Sequence, residues 1–133
     1  MHTHRILIAA TENDDVIKQV ASYFSDIRDC EVLFVQNGLE VLDTVKKSPP
    51  DLIVMDLLLP KLDGIRVCKT LKKDKTTSHI PIIITTLVQA EERSLAAGAD
   101  IFILKPVESA DLIDVISNIL LKQDINGTAG KAI

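Results

Sequence analysis

The chain has 133 residues, a formal net charge of −4, 47% hydrophobic residues and only 3% aromatic ones. That length fits one domain, with a core built mostly of Ile, Leu and Val. The acidic balance argues against direct nucleic-acid binding, which needs clustered Lys and Arg for phosphate contacts. No apolar run approaches the roughly 18 residues of a membrane span. The start, "MHTHRILIAA", has too short an apolar run for a secretory leader. Cys30 and Cys68 form no C-x-x-C pair and read as buried thiols of a cytosolic protein, with a disulfide left open by sequence alone. A soluble, cytoplasmic protein is expected, with no membrane attachment.

Strand-like and helix-like patterns then alternate five times. "RILIAA" (5–10) is a continuous apolar run, as in a strand buried on both faces. Asn13 is the expected cap of the helix that follows, with Asp14 and Asp15 in its first turn, where the dipole favours anions. "EVLFVQ" (31–36) is the second strand. "NGLEVLDTVKK" (37–47) is a turn and a helix, stopped by Pro49 and Pro50. "DLIVM" (51–55) is the third strand, and residues 64–73 form a helix with Ile65, Cys68 and Leu71 inward. "IPIIIT" (80–85) is the fourth strand. "AEERSLAAG" (90–98) is a short helix with Gly98 as its C′ residue. "DIFIL" (100–104) is the fifth strand, and residues 108–122 form the last helix. A domain over 1–122 is expected, followed by an aperiodic, mobile tail over 123–133.

Such alternation implies a parallel sheet with helices on both faces and right-handed crossovers. Ligands of such sheets bind outside the carboxyl ends of the strands. Strand one ends in Ala10, Thr11 and Glu12, strand three in Asp56, strand four in Thr85 and Thr86, and strand five in Lys105-Pro106. Singly, each has a plain structural reading: a loop cap, a β-branched strand residue, a solvated lysine. Together they bring a carboxylate, a hydroxyl and an ammonium to one edge. No glycine-rich phosphate loop follows strand one, and "GTAGKA" near the end lacks Walker spacing. No Ser-His-Asp or His/Cys metal cluster is visible, and His2, His4 and His79 read as solvated.

Over roughly residues 5–122 the chain resembles the receiver domain of bacterial two-component response regulators. The resemblance rests on Asp56, Pro60, Asp63 and Gly64, on the Ile-Pro-Ile-Ile strand ending in Thr86, on Ala97-Gly98-Ala99-Asp100, and on Lys105-Pro106. It implies a flavodoxin-like, doubly wound α/β fold with strand order 2-1-3-4-5. It also implies that Asp56 is the phosphoacceptor, forming an aspartyl phosphate. Lys105 and the hydroxyl of Thr86 would contact phosphoryl oxygens. Phe102 would be the aromatic that follows the threonine inward, and Pro106 the family's cis proline. The implied partners are a sensor histidine kinase or phosphotransfer protein and a downstream protein, with a homodimer left open. Thr85 competes with Thr86 for the switch role, and spacing from Pro81 favours Thr86.

The sequence departs from the family where strand one usually ends in two acidic residues that hold Mg²⁺. Here those positions are Ala10 and Thr11. Mg²⁺ wants oxygen ligands, usually including carboxylates. Asp56 and the backbone carbonyl of Leu58 are left as ligands. Glu12 stands one residue late, which turns a strand side chain to the other face. Weak Mg²⁺ binding is expected, with a direct Asp56–Lys105 ion pair in the metal's place. Only eleven residues separate Thr86 from Gly98, so helix four should be short. Three readings follow. The first is a phosphorylatable signalling switch that is not itself an enzyme. The second is a pseudo-receiver that binds proteins without phosphate. The third is an enzyme or cofactor carrier on the same fold, disfavoured because no phosphate cradle or nucleophile–base pair is visible.

Overall fold

The computed structural model describes residues 3–11 and 13–132, with the side chains of 126–132 outside that description. Ten elements alternate along the chain: β1 (His4–Ala9), α1 (Asp15–Ser25), β2 (Cys30–Val35), α2 (Gly38–Lys47), β3 (Leu52–Met55), α3 (Gly64–Lys73), β4 (Ile82–Thr86), α4 (Glu91–Ala96), β5 (Ile101–Leu104) and α5 (Ser109–Ala132). The five strands form one parallel sheet in the order β2-β1-β3-β4-β5, as the resemblance implies. Ile6 lies between Val32 and Leu52, and Ile83 opposite Ile101.

Strand alternation divides the apolar side chains between two cores. Leu7, Ala9, Ile53, Met55, Ile82 and Ile84 face α2, α3 and α4. Ile6, Ile8, Ala10, Val54 and Ile83 face α1 and α5. β1, β3 and β4 are covered on both sides, which is why they read as unbroken apolar runs rather than alternating ones. Each fully buried Ile or Leu contributes about 1.5–3 kcal/mol relative to exposure.

Four local expectations change. Asp14, not Asn13, caps α1: its side chain accepts from the Ile17 amide at 3.1 Å. Asn13 is exposed. β4 starts at Ile82, two residues after the expected start at 80, and runs through Thr86. The last helix continues to Ala132 instead of giving way to a tail at 123. No proline stops it, and its sequel is tied to the amino edge of the sheet. Gln123 Nε2 donates to the Asp51 carbonyl at 2.8 Å, and His4 Nε2 meets Asp124 Oδ1 at 2.9 Å. His4 is therefore engaged rather than solvated. α4 is short, as expected, and its cap residue Ala90 makes no side-chain hydrogen bond. Gly98 follows it with φ +107°, the left-handed C′ position. Both cysteines are free thiols.

Candidate functional site

The carboxyl edge of the sheet is where the polar residues gather. Asp56 follows β3, and its amide donates to the Ala9 carbonyl at 3.0 Å, so the backbone at Asp56 continues the ladder. The side chain is 15% exposed. Asp56 Oδ1 accepts from the Leu58 amide at 2.9 Å, and Asp56 Oδ2 from Lys105 Nζ at 2.9 Å. Each oxygen keeps a lone pair beyond these contacts. Gly64 closes the loop behind the aspartate. Its amide donates to the Leu57 carbonyl at 2.8 Å, and a Cβ there would stand 2.8 Å from the Asp56 carbonyl oxygen. Only glycine permits that approach.

Lys105 enters from the end of β5, with its own amide donating to the Thr86 carbonyl at 2.8 Å. The Lys105–Pro106 peptide is cis. The expected Asp56–Lys105 ion pair is present, but the ammonium does not belong to Asp56 alone. It also pairs with Asp14 Oδ2, whose side chain is 12% exposed. Burial on its own would lower the lysine's pKa. Hydrogen bonds and charge from Asp14 and Asp56 outweigh that, and the net displacement is upward. Sequence reasoning missed Asp14 by placing it one position inside the helix. The available signal was a lysine needing anions beside a strand end stripped of them.

The two threonines separate by strand parity. Thr86 is fully buried, and its Oγ1 receives a long contact from the Val88 amide at 3.5 Å. It shares a face with Ile84, which pairs with Phe102 on β5. Phe102 is partly buried against the α2–α4 core. Thr85 is 1% exposed, and its Oγ1 has no partner among the described residues.

Ala10 is 2% exposed within the α1–α5 core, and Thr11 is exposed. Glu12 lies outside the described residues. Among the described residues no group of three or more His, Cys, Asp or Glu is arranged to hold a metal. The donor set at the edge is two carboxylates sharing one ammonium, which does not fit Mg²⁺ as it stands. Leu58 meets Asp56 through its amide.

Residues 6–117 match the response regulator receiver domain family. The chain belongs to that family. The receiver is 39% identical over 93 residues to the polar-differentiation response regulator DivK of Brucella anthropi, covering 68% of this chain and 76% of that one. Its fold matches a putative response regulator from Chloroflexus aurantiacus with a TM-score of 0.76 at 30% identity, over 89% of this chain and 98% of that one. It is also similar to the phosphorylated cyanobacterial phytochrome response regulator RcpA, with a TM-score of 0.71 at 25% identity, over 87% of this chain and 91% of that one. Receivers are generally signalling modules, and Mg²⁺ is their general cofactor. Among the described residues no helix is long and apolar enough to cross a membrane.

Proposed function

We propose that this receiver accepts a phosphoryl group on Asp56 from a sensor histidine kinase or phosphotransfer protein in the cytoplasm. It then passes the change to a downstream protein through its surface. The observation that carries the reading is the posture of Asp56. The carboxylate reaches solvent at a strand end while both oxygens are held, one by the Leu58 amide and one by Lys105. A phosphohistidine approaching in line would meet a carboxylate oxygen as nucleophile. The new O–P bond forms as the P–N bond breaks, and the imidazole nitrogen leaves with the electron pair. Such transfer depends on positioning and neutralisation of charge. RcpA's phosphorylated state is consistent with this reading.

Phe102 and Thr86 would relay the change. Thr86 can exchange its long contact with the Val88 amide for a phosphoryl oxygen, and Phe102 lies on the same face one strand away. The test is incubation with a small phosphodonor, read by intact mass. Gain of one phosphoryl group, lost in Asp56→Asn, supports the reading. No gain in the parent points to the pseudo-receiver, a phosphorylation-independent binding module. Ala10 and Thr11 favour that alternative, because they remove the usual metal ligands from strand one.

A further inference from the structure

We propose that Asp14 is a positioning residue that fixes the Lys105 ammonium against Asp56, so that an internal ammonium, rather than a divalent cation, neutralises the acceptor carboxylate. The inference rests on Asp56 being the acceptor and goes beyond it in naming the site's cation and the residue that holds it.

The geometry divides Asp14 into two tasks. Oδ1 accepts from the Ile17 amide and so fixes the carboxylate to the first turn of α1. Oδ2 faces Lys105. A carboxylate that is also a helix cap has little rotameric freedom, so the lysine is held by a rigid partner. Among the described residues strand one brings no anion to this place: Ala10 is apolar and buried and Thr11 is exposed. Asp14 thus reaches the edge from α1, on the side where strand one supplies nothing. Lys105 has three donors. Two meet Asp14 and Asp56, and the third has no partner among the described residues. That donor is available to a phosphoryl oxygen without loss of either carboxylate contact. The two carboxylates are meanwhile both committed to the ammonium. A divalent cation would have to displace Lys105 and strip its own water for only two carboxylates.

The test uses the whole chain and two variants. Asp14→Asn keeps an oxygen for the Ile17 amide but loses the charge that holds the lysine. Asp56→Asn removes the acceptor. In the parent, the Lys105 ammonium should give a slowly exchanging ¹⁵N-detected NMR signal. It should vanish in Asp14→Asn while the Ile17 amide stays protected, an outcome that a merely capping role would not produce. Magnesium chloride titrated into the parent at millimolar concentration should leave the Asp56 and Leu58 amide signals in place. Phosphoramidate should phosphorylate the parent about equally with Mg²⁺ and with EDTA, and Asp14→Asn several-fold more slowly in EDTA. Saturable Mg²⁺ binding at sub-millimolar concentration, an unchanged Lys105 signal in Asp14→Asn, or faster phosphorylation of that variant in EDTA would each overturn the inference. If the parent takes no phosphoryl group in either buffer, the acceptor reading falls. The ammonium signal and the Mg²⁺ titration then decide the inference by themselves.

Discussion

Two half-buried lysines stand at opposite edges of the sheet. At the amino edge, Lys72 is 18% exposed and spends its three donors on the Ser78 carbonyl at 3.2 Å, the Ile80 carbonyl at 2.8 Å and Asp100 Oδ2 at 3.0 Å. Asp100 in turn accepts from the Ile82 amide at 2.8 Å. At the carboxyl edge, Lys105 is 15% exposed and meets two carboxylates. The first ammonium is saturated by two carbonyls and one carboxylate and ties α3 to the starts of β4 and β5. The second sits in a surplus of negative charge with a donor to spare. Burial and ion pairing are alike in the two, so neither marks a site. What separates them is the balance of charge and the donor left over.

The comparison breaks most visibly on removing each ammonium. Lys105→Met leaves Asp14 and Asp56 facing one another with no cation between them. Breaking a buried pair from one side costs about 3–5 kcal/mol, and partial exposure here brings that to roughly 2–3 kcal/mol. Lys72→Met strands two carbonyls, but Asp100 is 47% exposed and rehydrates, so the cost is about 1–2 kcal/mol. Asp56→Asn should cost only about 1 kcal/mol: its single oxygen replaces one of the two contacts made by the Asp56 oxygens, to Leu58 or to Lys105, and Asp14 still holds the lysine. Urea denaturation of the three variants checks the order. Equal midpoints for both lysine variants would erase the distinction drawn between the two edges.

Gly64→Ala tests the backbone of the site. The added methyl would lie 2.8 Å from the Asp56 carbonyl oxygen and 2.9 Å from the Leu57 Cα. Neither is a flexible side chain, so the loop must move, at about 1–3 kcal/mol. Displacement of the Leu58 amide signal in NMR should accompany the loss, because that amide holds Asp56. A stable variant with an unmoved Leu58 signal would show that the close approach matters little.

Strand and helix placement was legible because β1, β3 and β4 are buried on both faces and the helices carry one apolar stripe. The edge was legible for Asp56, Thr86 and Lys105, each at a strand end. Asp14 was not. "ENDD" offers cap-competent residues at 13, 14 and 15, and a helical period cannot choose among neighbours. The contact that engages Asp14 comes from a lysine 91 residues away. The end of α5 was missed for a similar reason. Gln123 and Asp124 look like tail residues until Asp51 and His4 are placed beside them.

Alkaline pH sharpens the two-edge comparison by deprotonating one group near each edge, the neutral Cys68 thiol beside Lys72 and the Lys105 ammonium itself. Burial pushes the Cys68 thiol up to about 11 from an ordinary 9.0, with the Asp100 charge adding to the rise and Lys72 opposing it. Folding therefore holds that proton more tightly than the unfolded chain does. The stability this contributes is intact below pH 9 and is lost as the pH rises toward 11, by at most about 2–3 kcal/mol. Lys105, also displaced upward, adds a loss that starts above its ordinary value of 10.5. Cys68→Ala should flatten the curve between pH 9 and 10.5 and leave the steeper fall above it. Lys105→Met should do the reverse. Denaturation midpoints across pH 8–11 distinguish the two, and identical curves for both variants would remove the assignment.

The smallest expected difference separates the two tasks of Asp14. Asn accepts a backbone hydrogen bond at a helix N-cap about as well as Asp, whereas Ala does not. Asp14→Ala should therefore be less stable than Asp14→Asn by about 1 kcal/mol, the cost of an unfilled cap. Loss of the Lys105 contact is common to both variants and cancels in the comparison. The charge of Asp14 also favours the positive end of the α1 dipole, which Asn forgoes, so Asp14→Asn should itself fall slightly below the parent. The site adds a term of opposite sign. Removing one of two carboxylates around a single ammonium relieves their mutual repulsion, and this gain offsets part of the lost dipole energy. Hydrogen exchange at the Ile17 amide reads the cap directly: slow in the parent and in Asp14→Asn, fast in Asp14→Ala. Fast exchange in both variants would mean that the cap requires the charge, and that the ammonium at Lys105 helps to hold the first turn of α1 in place.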